Sequence, residues 1–135
     1  MTRIVRINHE PIDLAPIVRE FTTPECGAVT TFLGVVRDHS GSRRVEAIEY
    51  SAYAGMAEQE LERVVDRVAG NHGVESVASV HRLGRLQVGE SSLGVVVAAG
   101  HRREALMCCL ELIDELKKTV PIWKLEFGPD GSQWS

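Results

Sequence analysis

The run SSLGVVVAAG, residues 91–100, constrains this chain more than any other stretch. It is apolar from Leu93 to Ala99 and reads as a buried strand. HRREALMCCLELIDELKKT, residues 101–119, follows at once as a long helix. No run reaches the 18 or so apolar residues that a membrane span requires.

The remaining elements fall around this pair. Residues 3–10, RIVRINHE, alternate and predict a first strand; residues 13–22 predict a short helix with Asp13 as N-cap and Pro16 in its first turn. CGAVTTFLGVVRD, residues 26–38, is β-branched and predicts a central strand, with Gly34 marking a bulge or a close backbone approach. HSGSRR, residues 39–44, reads as a loop, and residues 45–54 alternate as a strand expected to pair with the preceding one in a hairpin. Residues 56–73 form an amphipathic helix burying Leu61, Val64, Val65 and Val68, stopped by Gly70 or Gly73. Residues 74–89 predict a strand and turn. PIWKLEF closes the series as a strand after Pro121, with Trp123, Leu125 and Phe127 on one face. Helices separated by both hairpin and crossover connections predict an α+β fold with a largely antiparallel sheet, as one domain over residues 1–135.

Charge narrows the function classes. A net charge of −4 disfavours a generic nucleic-acid binder. The charged, alternating N-terminus is not a signal peptide. Three cysteines, Cys26, Cys108 and Cys109, make neither a disulfide framework nor a zinc site, and suit a reducing cytoplasm. No cofactor or metal is expected.

The basic residues are unevenly written: twelve are arginine, and the three lysines, Lys117, Lys118 and Lys124, fall within eight residues. Lys118 belongs to a polar stripe with Glu111, Asp114 and Glu115, and Asp114 stands at i, i+4 spacing from it. Lys117 continues the face of Leu106, Leu110 and Ile113, expected to be buried, where a lysine must snorkel or line a cavity. Lysine can be tuned for proton transfer by its surroundings and arginine cannot. Lys124 shares a strand face with Ile122 and Glu126, so a Lys–Glu surface pair is its bland reading. Arg37 stands where an apolar strand gives way to a loop. His101 and Arg102 open the last helix, where free N–H groups favour an anion. His72 and His81 read as structural. These basic groups point to an anionic ligand, and no glycine-rich nucleotide loop accompanies them.

Five collinear pieces, GAVTTFLGVVRDH, IEYSAYAGMAEQEL, VHRLGRLQVGE, VVVAAGHRREAL and LKKTVPIWKLE, resemble the large, catalytic subunit of molybdopterin synthase, from about Gly27 to Trp134. The resemblance implies an α/β hammerhead-type fold with an additional antiparallel β-sheet, and a homodimer within a heterotetramer. It implies a partner, a small ubiquitin-like sulfur carrier whose C-terminal Gly-Gly tail ends in a thiocarboxylate. It implies a substrate, cyclic pyranopterin monophosphate, to which two sulfurs are transferred to make the molybdopterin dithiolene. The family's substrate-contacting arginine matches Arg37, its His-Arg pair His101 and Arg102, and its essential lysines Lys117 and Lys124. Val35, Val36, Leu125 and Glu126 would line the same pocket, part of which comes from the second protomer. Only Ser135 follows Trp134, where several members carry a longer extension.

The alternative on residues alone is a non-enzymatic dimeric α+β domain that binds an anionic metabolite. It needs no titratable lysine and would tolerate Lys117→Arg.

Overall fold

The computed structural model describes residues 2–135. In chain order it contains β1 (Thr2–Asn8), α1 (Ala15–Phe21), β2 (Ala28–Val35), β3 (His39–Ser40), β4 (Arg43–Arg44), β5 (Ala47–Ser51), α2 (Ala54–His72), β6 (Ser76–Arg82), β7 (Gly84–Gln87), β8 (Ser91–Ala99), α3 (Arg102–Thr119), β9 (Trp123–Phe127) and β10 (Gln133–Trp134). The fold is α+β, with one mixed sheet in the order β1-β6-β8-β2 and one antiparallel sheet in the order β10-β9-β5-β7. Only the β1–β6 pair is parallel among the described pairings.

β8 lies inside the first sheet and is covered on both faces. Val95 and Val97 join the core beneath α2 and α3, while Val96 and Ala98 join the one beneath α1. A strand buried on both faces has no polar side to show, which is why its sequence is a continuous apolar run. α2 contributes Leu61, Val64, Val65 and Val68 to the larger core, the stripe its periodicity marks. Each such side chain taken fully out of water stabilises the fold by roughly 1.5–3 kcal/mol. Gly73 ends α2 in the left-handed region at φ 64°, and its N–H bonds back to Gly70. Gly84, at φ 100°, stands where the chain leaves β6 for β7 and so changes sheets.

Several expectations need correction. β5 does not form a hairpin with β2: it lies between β7 and β9 in the second sheet. The segment expected as a loop holds the β3–β4 hairpin, turned by Gly41 at φ 62°. Beyond it, Ala47 and Ile48 are buried, and Ile48 packs with Val36, Val45 and Leu86 in a separate small core. A strand pairs where its apolar face finds a core, and adjacency in sequence does not decide that. The bulge expected at Gly34 is present as a register shift between Gly34 and Val35. Residue Leu14, not Asp13, is the N-cap of α1; Asp13 instead accepts a hydrogen bond from the Ala15 N–H through Oδ1 at 3.2 Å.

Candidate functional site

The two sheets meet at a cavity of about 310 Å³. Phe32 and Gly34 reach it from the end of β2, Ser92 and Leu93 from the start of β8, and His81 from β6. The second sheet adds Tyr50 and Lys124, and the last turn of α3 adds Leu116 and Lys117. The local chemistry makes this convergence. Pro121 cannot continue the helix, so α3 stops at Thr119 and the chain turns through Val120 and Ile122 into β9. Lys117 and Lys124 therefore arrive from a helix and from a strand on one opening.

Lys124 is held by a buried acid. Its Nζ lies 3.7 Å from Oε2 of Glu126, which is only 5% exposed, while Arg43 reaches the other carboxylate oxygen at 3.4 Å. Arg43 in turn stacks on the Trp134 ring at 4.3 Å. The expected surface pair is thus a carboxylate buried between two cations, which fixes the strand face that carries Lys124.

α3 buries a face turned away from Leu106 and Leu110, with Ile113 half-buried at its edge. Its buried side is Ala105, Cys108, Cys109, Leu112 and Leu116. Leu106 and Leu110 are each 56% exposed, and Lys117 is exposed beside them while lining the cavity. Periodicity gave two adjacent apolar stripes, and only packing against β2, β8 and α2 selects between them. Lys118 is exposed and outside the cavity, and the i, i+4 pair with Asp114 does not form. The polar stripe instead holds α2: Glu115 pairs with Arg67 at 3.2 Å and Glu111 lies 3.5 Å from His72.

The remaining candidates divide. Val35 is exposed at the end of β2 and Arg37 is exposed beyond it, three residues from Gly34 of the cavity wall. Val36 is buried in the small core, its backbone paired with Glu90 and Gly89. Leu125 is half-buried and pairs with Glu49. His101 and Arg102 lie elsewhere. His101 caps α3 with its side chain 86% exposed, 3.8 Å from Glu104, and Arg102 is the first helical residue. A rise of 1.5 Å per residue separates Arg102 from Lys117 by about 22 Å. One protomer does not bring its His-Arg pair to its own lysines.

His81, read from sequence as structural, lines the cavity at 7% exposure. Its Nδ1 lies 3.0 Å from the Arg82 carbonyl, and its ring meets Tyr50 edge-on with centroids 5.1 Å apart. Burial holds the imidazole below its ordinary value near 6.5; the Lys117 charge acts in the same direction and the Arg82 carbonyl opposes it. Burial also pushes the Tyr50 phenol up, and Glu126 adds to the effect. The only signal for His81 in the sequence was its place in VHRLG, which periodicity cannot distinguish from core.

Cys108 and Cys109 are buried, and burial pushes both thiols up to about 11, leaving them poor nucleophiles. Among the described residues, no group of three or more His, Cys, Asp or Glu is placed to hold a metal, and no helix is long and apolar enough to cross a membrane.

A family model described as MoaE protein matches residues 7–119. The chain is 38% identical over 125 residues to the molybdopterin synthase catalytic subunit of Pyrococcus abyssi, covering 93% of this chain and 84% of that one. Its fold superposes on the crystal structure of molybdopterin synthase from Staphylococcus aureus with a TM-score of 0.89 at 33% identity, covering 96% and 94% of the two chains. The same fold occurs, at 22% identity and a TM-score of 0.77, in a protein–protein complex of subunits 1 and 2 of molybdopterin-converting factor from Helicobacter pylori, covering 96% and 87%.

Proposed function

The chain belongs to the MoaE family, the catalytic subunits of molybdopterin synthase, and from that premise we propose how its residues carry the reaction. It takes sulfur from the C-terminal thiocarboxylate of a small ubiquitin-like carrier and places it on cyclic pyranopterin monophosphate. The observation that carries this reading is the convergence of Lys117 and Lys124 on one cavity. Lys117 stands at the carrier's terminal carbonyl, where it stabilises the oxyanion and donates a proton. Lys124, held by Glu126, takes the cyclic phosphate together with Arg37. Val35, Val36, Leu125 and Glu126 shape the surrounding wall, and a Gly-Gly tail suits a narrow entry because it has no side chains to exclude.

His101 and Arg102 serve the second protomer's site. They lie at the far end of α3 from Lys117, and the exposed Leu106, Met107 and Leu110 lie between the two ends. A two-fold axis across that apolar stripe would run the two α3 helices antiparallel and carry each His-Arg pair toward the other protomer's lysines. Leu33 and Val35 on β2 are exposed as well. The homodimer then carries one carrier on each protomer, a heterotetramer. One domain over residues 1–135 and a cytoplasmic setting, consistent with three free cysteines, complete the proposal.

The test is reconstitution: this chain, thiocarboxylated carrier and cyclic pyranopterin monophosphate in a single turnover, with molybdopterin as readout. Molybdopterin formation that requires all three supports the reading. Binding of the pterin without conversion returns the chain to the binding-domain alternative.

A further inference from the structure

The cavity contains a group that the lysine chemistry does not use. We propose that His81 is the general base for the water that releases the carrier, acting through the Nε2 lone pair that its Nδ1 contact with the Arg82 carbonyl leaves free. The inference rests on the sulfur-transfer reading above.

The tautomer follows from the partner. A carbonyl oxygen accepts and cannot donate, so Nδ1 at 3.0 Å from the Arg82 oxygen carries the hydrogen. In a neutral imidazole Nε2 is then the acceptor. The edge-on Tyr50 ring, 5.1 Å away, fixes the plane in which that lone pair lies. The ring is buried in the wall shared with Lys117 and Lys124.

The reaction needs such a group. Once the thiocarboxylate sulfur bonds to the pterin carbon in place of a departing oxygen substituent, it bridges that carbon and the carrier's acyl carbon. Water must then attack the acyl carbon. One water proton passes to Nε2, the acyl C–S bond breaks, and its electron pair leaves with sulfur as the pterin thiolate. The carrier departs as a carboxylate, the second water proton passing to solvent, and the imidazolium returns the first to the thiolate or to solvent. No electrons are gained or lost. The other polar groups at the cavity are already committed, the Ser92 hydroxyl donating to the Gly34 carbonyl at 3.3 Å. Lys117 and Lys124 act as cations toward the acyl oxygen and the phosphate, and Glu126 is paired with Arg43 and Lys124. Burial keeps the Tyr50 phenol protonated at neutral pH. Among the cavity residues, the imidazole is the free proton acceptor.

The groups facing His81 set its pH range. Lys117 comes from α3, Lys124 from β9, Tyr50 from β5, Ser92 from β8, and Arg82 from its own strand. Burial and the Lys117 charge both favour the neutral ring, so the base stays available to below its ordinary titration near 6.5.

The experiment follows single turnovers of the dimer with thiocarboxylated carrier and cyclic pyranopterin monophosphate. Intact mass spectrometry detects a covalent carrier–pterin adduct. His81→Asn keeps an N–H near the Nδ1 position and removes the base. It should slow carrier release by about 100-fold or more, accumulate the adduct and abolish the acid limb of the rate profile. His81→Gln is the second variant. Wild type followed as the pH falls through and below the ordinary imidazole range should also accumulate adduct as the ring charges, which needs no mutant to fold. Release within a few-fold of wild type in either variant overturns the proposal. So does slow turnover with the acid limb intact and no adduct, which marks a merely structural histidine, and so does wild type without adduct in acid. Wild type making no molybdopterin at any pH overturns the underlying sulfur-transfer reading and this inference with it.

Discussion

At the scale of single residues, neighbouring side chains of one type divide by what they touch. Lys117 and Lys118 are consecutive, yet only Lys117 lines the cavity. Lys117→Ala should lower dithiolene formation by about 100-fold or more, while Lys118→Ala should stay within a few-fold; equal defects in a single-turnover assay would remove Lys117 from the chemistry. The adjacent thiols make a second case. Cys108 and Cys109 are buried and pushed up from 9.0 to about 11. Between these values the unfolded chain releases thiol protons that the folded chain keeps, so the folded state loses stability as pH rises from about 9 toward 11. Thermal melts of wild type and the Cys108→Ala/Cys109→Ala variant should show the variant's deficit in Tm shrinking over that range. A constant deficit would mean that the thiols ionise alike in both states.

At the scale of elements, the helix ends decide where functional groups stand. α2 stops because Gly73 adopts φ 64°, with nothing within 4 Å of a built Cβ. Its cost to other residues is therefore one of backbone conformation. Gly73→Ala should destabilise the fold by about 1 kcal/mol, and Gly73→Asn by less, measured by urea unfolding. A neutral Gly73→Ala would show that the cap relaxes. α3 ends differently, in extended backbone at Val120, whose N–H bonds to the Leu116 carbonyl. That exit directs Ile122 and Lys124 back to the opening that Lys117 lines. Helix end and strand are thus one device, built from the six residues of sequence between the two lysines.

At the scale of the whole molecule, Arg102 and Lys117 stand at opposite ends of α3, so the proposed site is shared between protomers. This gives a complementation test. Lys117→Ala and Arg102→Ala homodimers should both be inactive. A mixed dimer has one site with both lesions and one with neither. Statistical mixing at equal amounts should therefore restore about a quarter of wild-type activity. No recovery on mixing, with heterodimers verified by mass, would place the His-Arg pair outside the active site. Leu110→Glu, which puts charge into the exposed stripe, should shift the dimer toward monomer in sedimentation and lose activity with it.

The helices, the β8 run, the Gly34 bulge and the collinear family motifs were legible in the linear chain. Periodicity, propensity and spacing are local properties, carried by residues within a few positions of one another. Which strands pair was not legible, since β5 chose β7 and β9 over its neighbour β2 through burial of Ala47 and Ile48. Nor was the face α3 buries, because Leu106 and Leu110 are as apolar as Leu112 and only packing partners separate them. His81 and Tyr50 gave no sequence signal as site residues for the same reason: they stand 31 residues apart, and only the fold brings their rings together edge-on. Sequence alone determined the helices, the longer strands and the family of this chain. The tertiary structure decided which surfaces meet, because burial depends on contacts between distant segments, and those contacts brought two lysines and a histidine to one cavity.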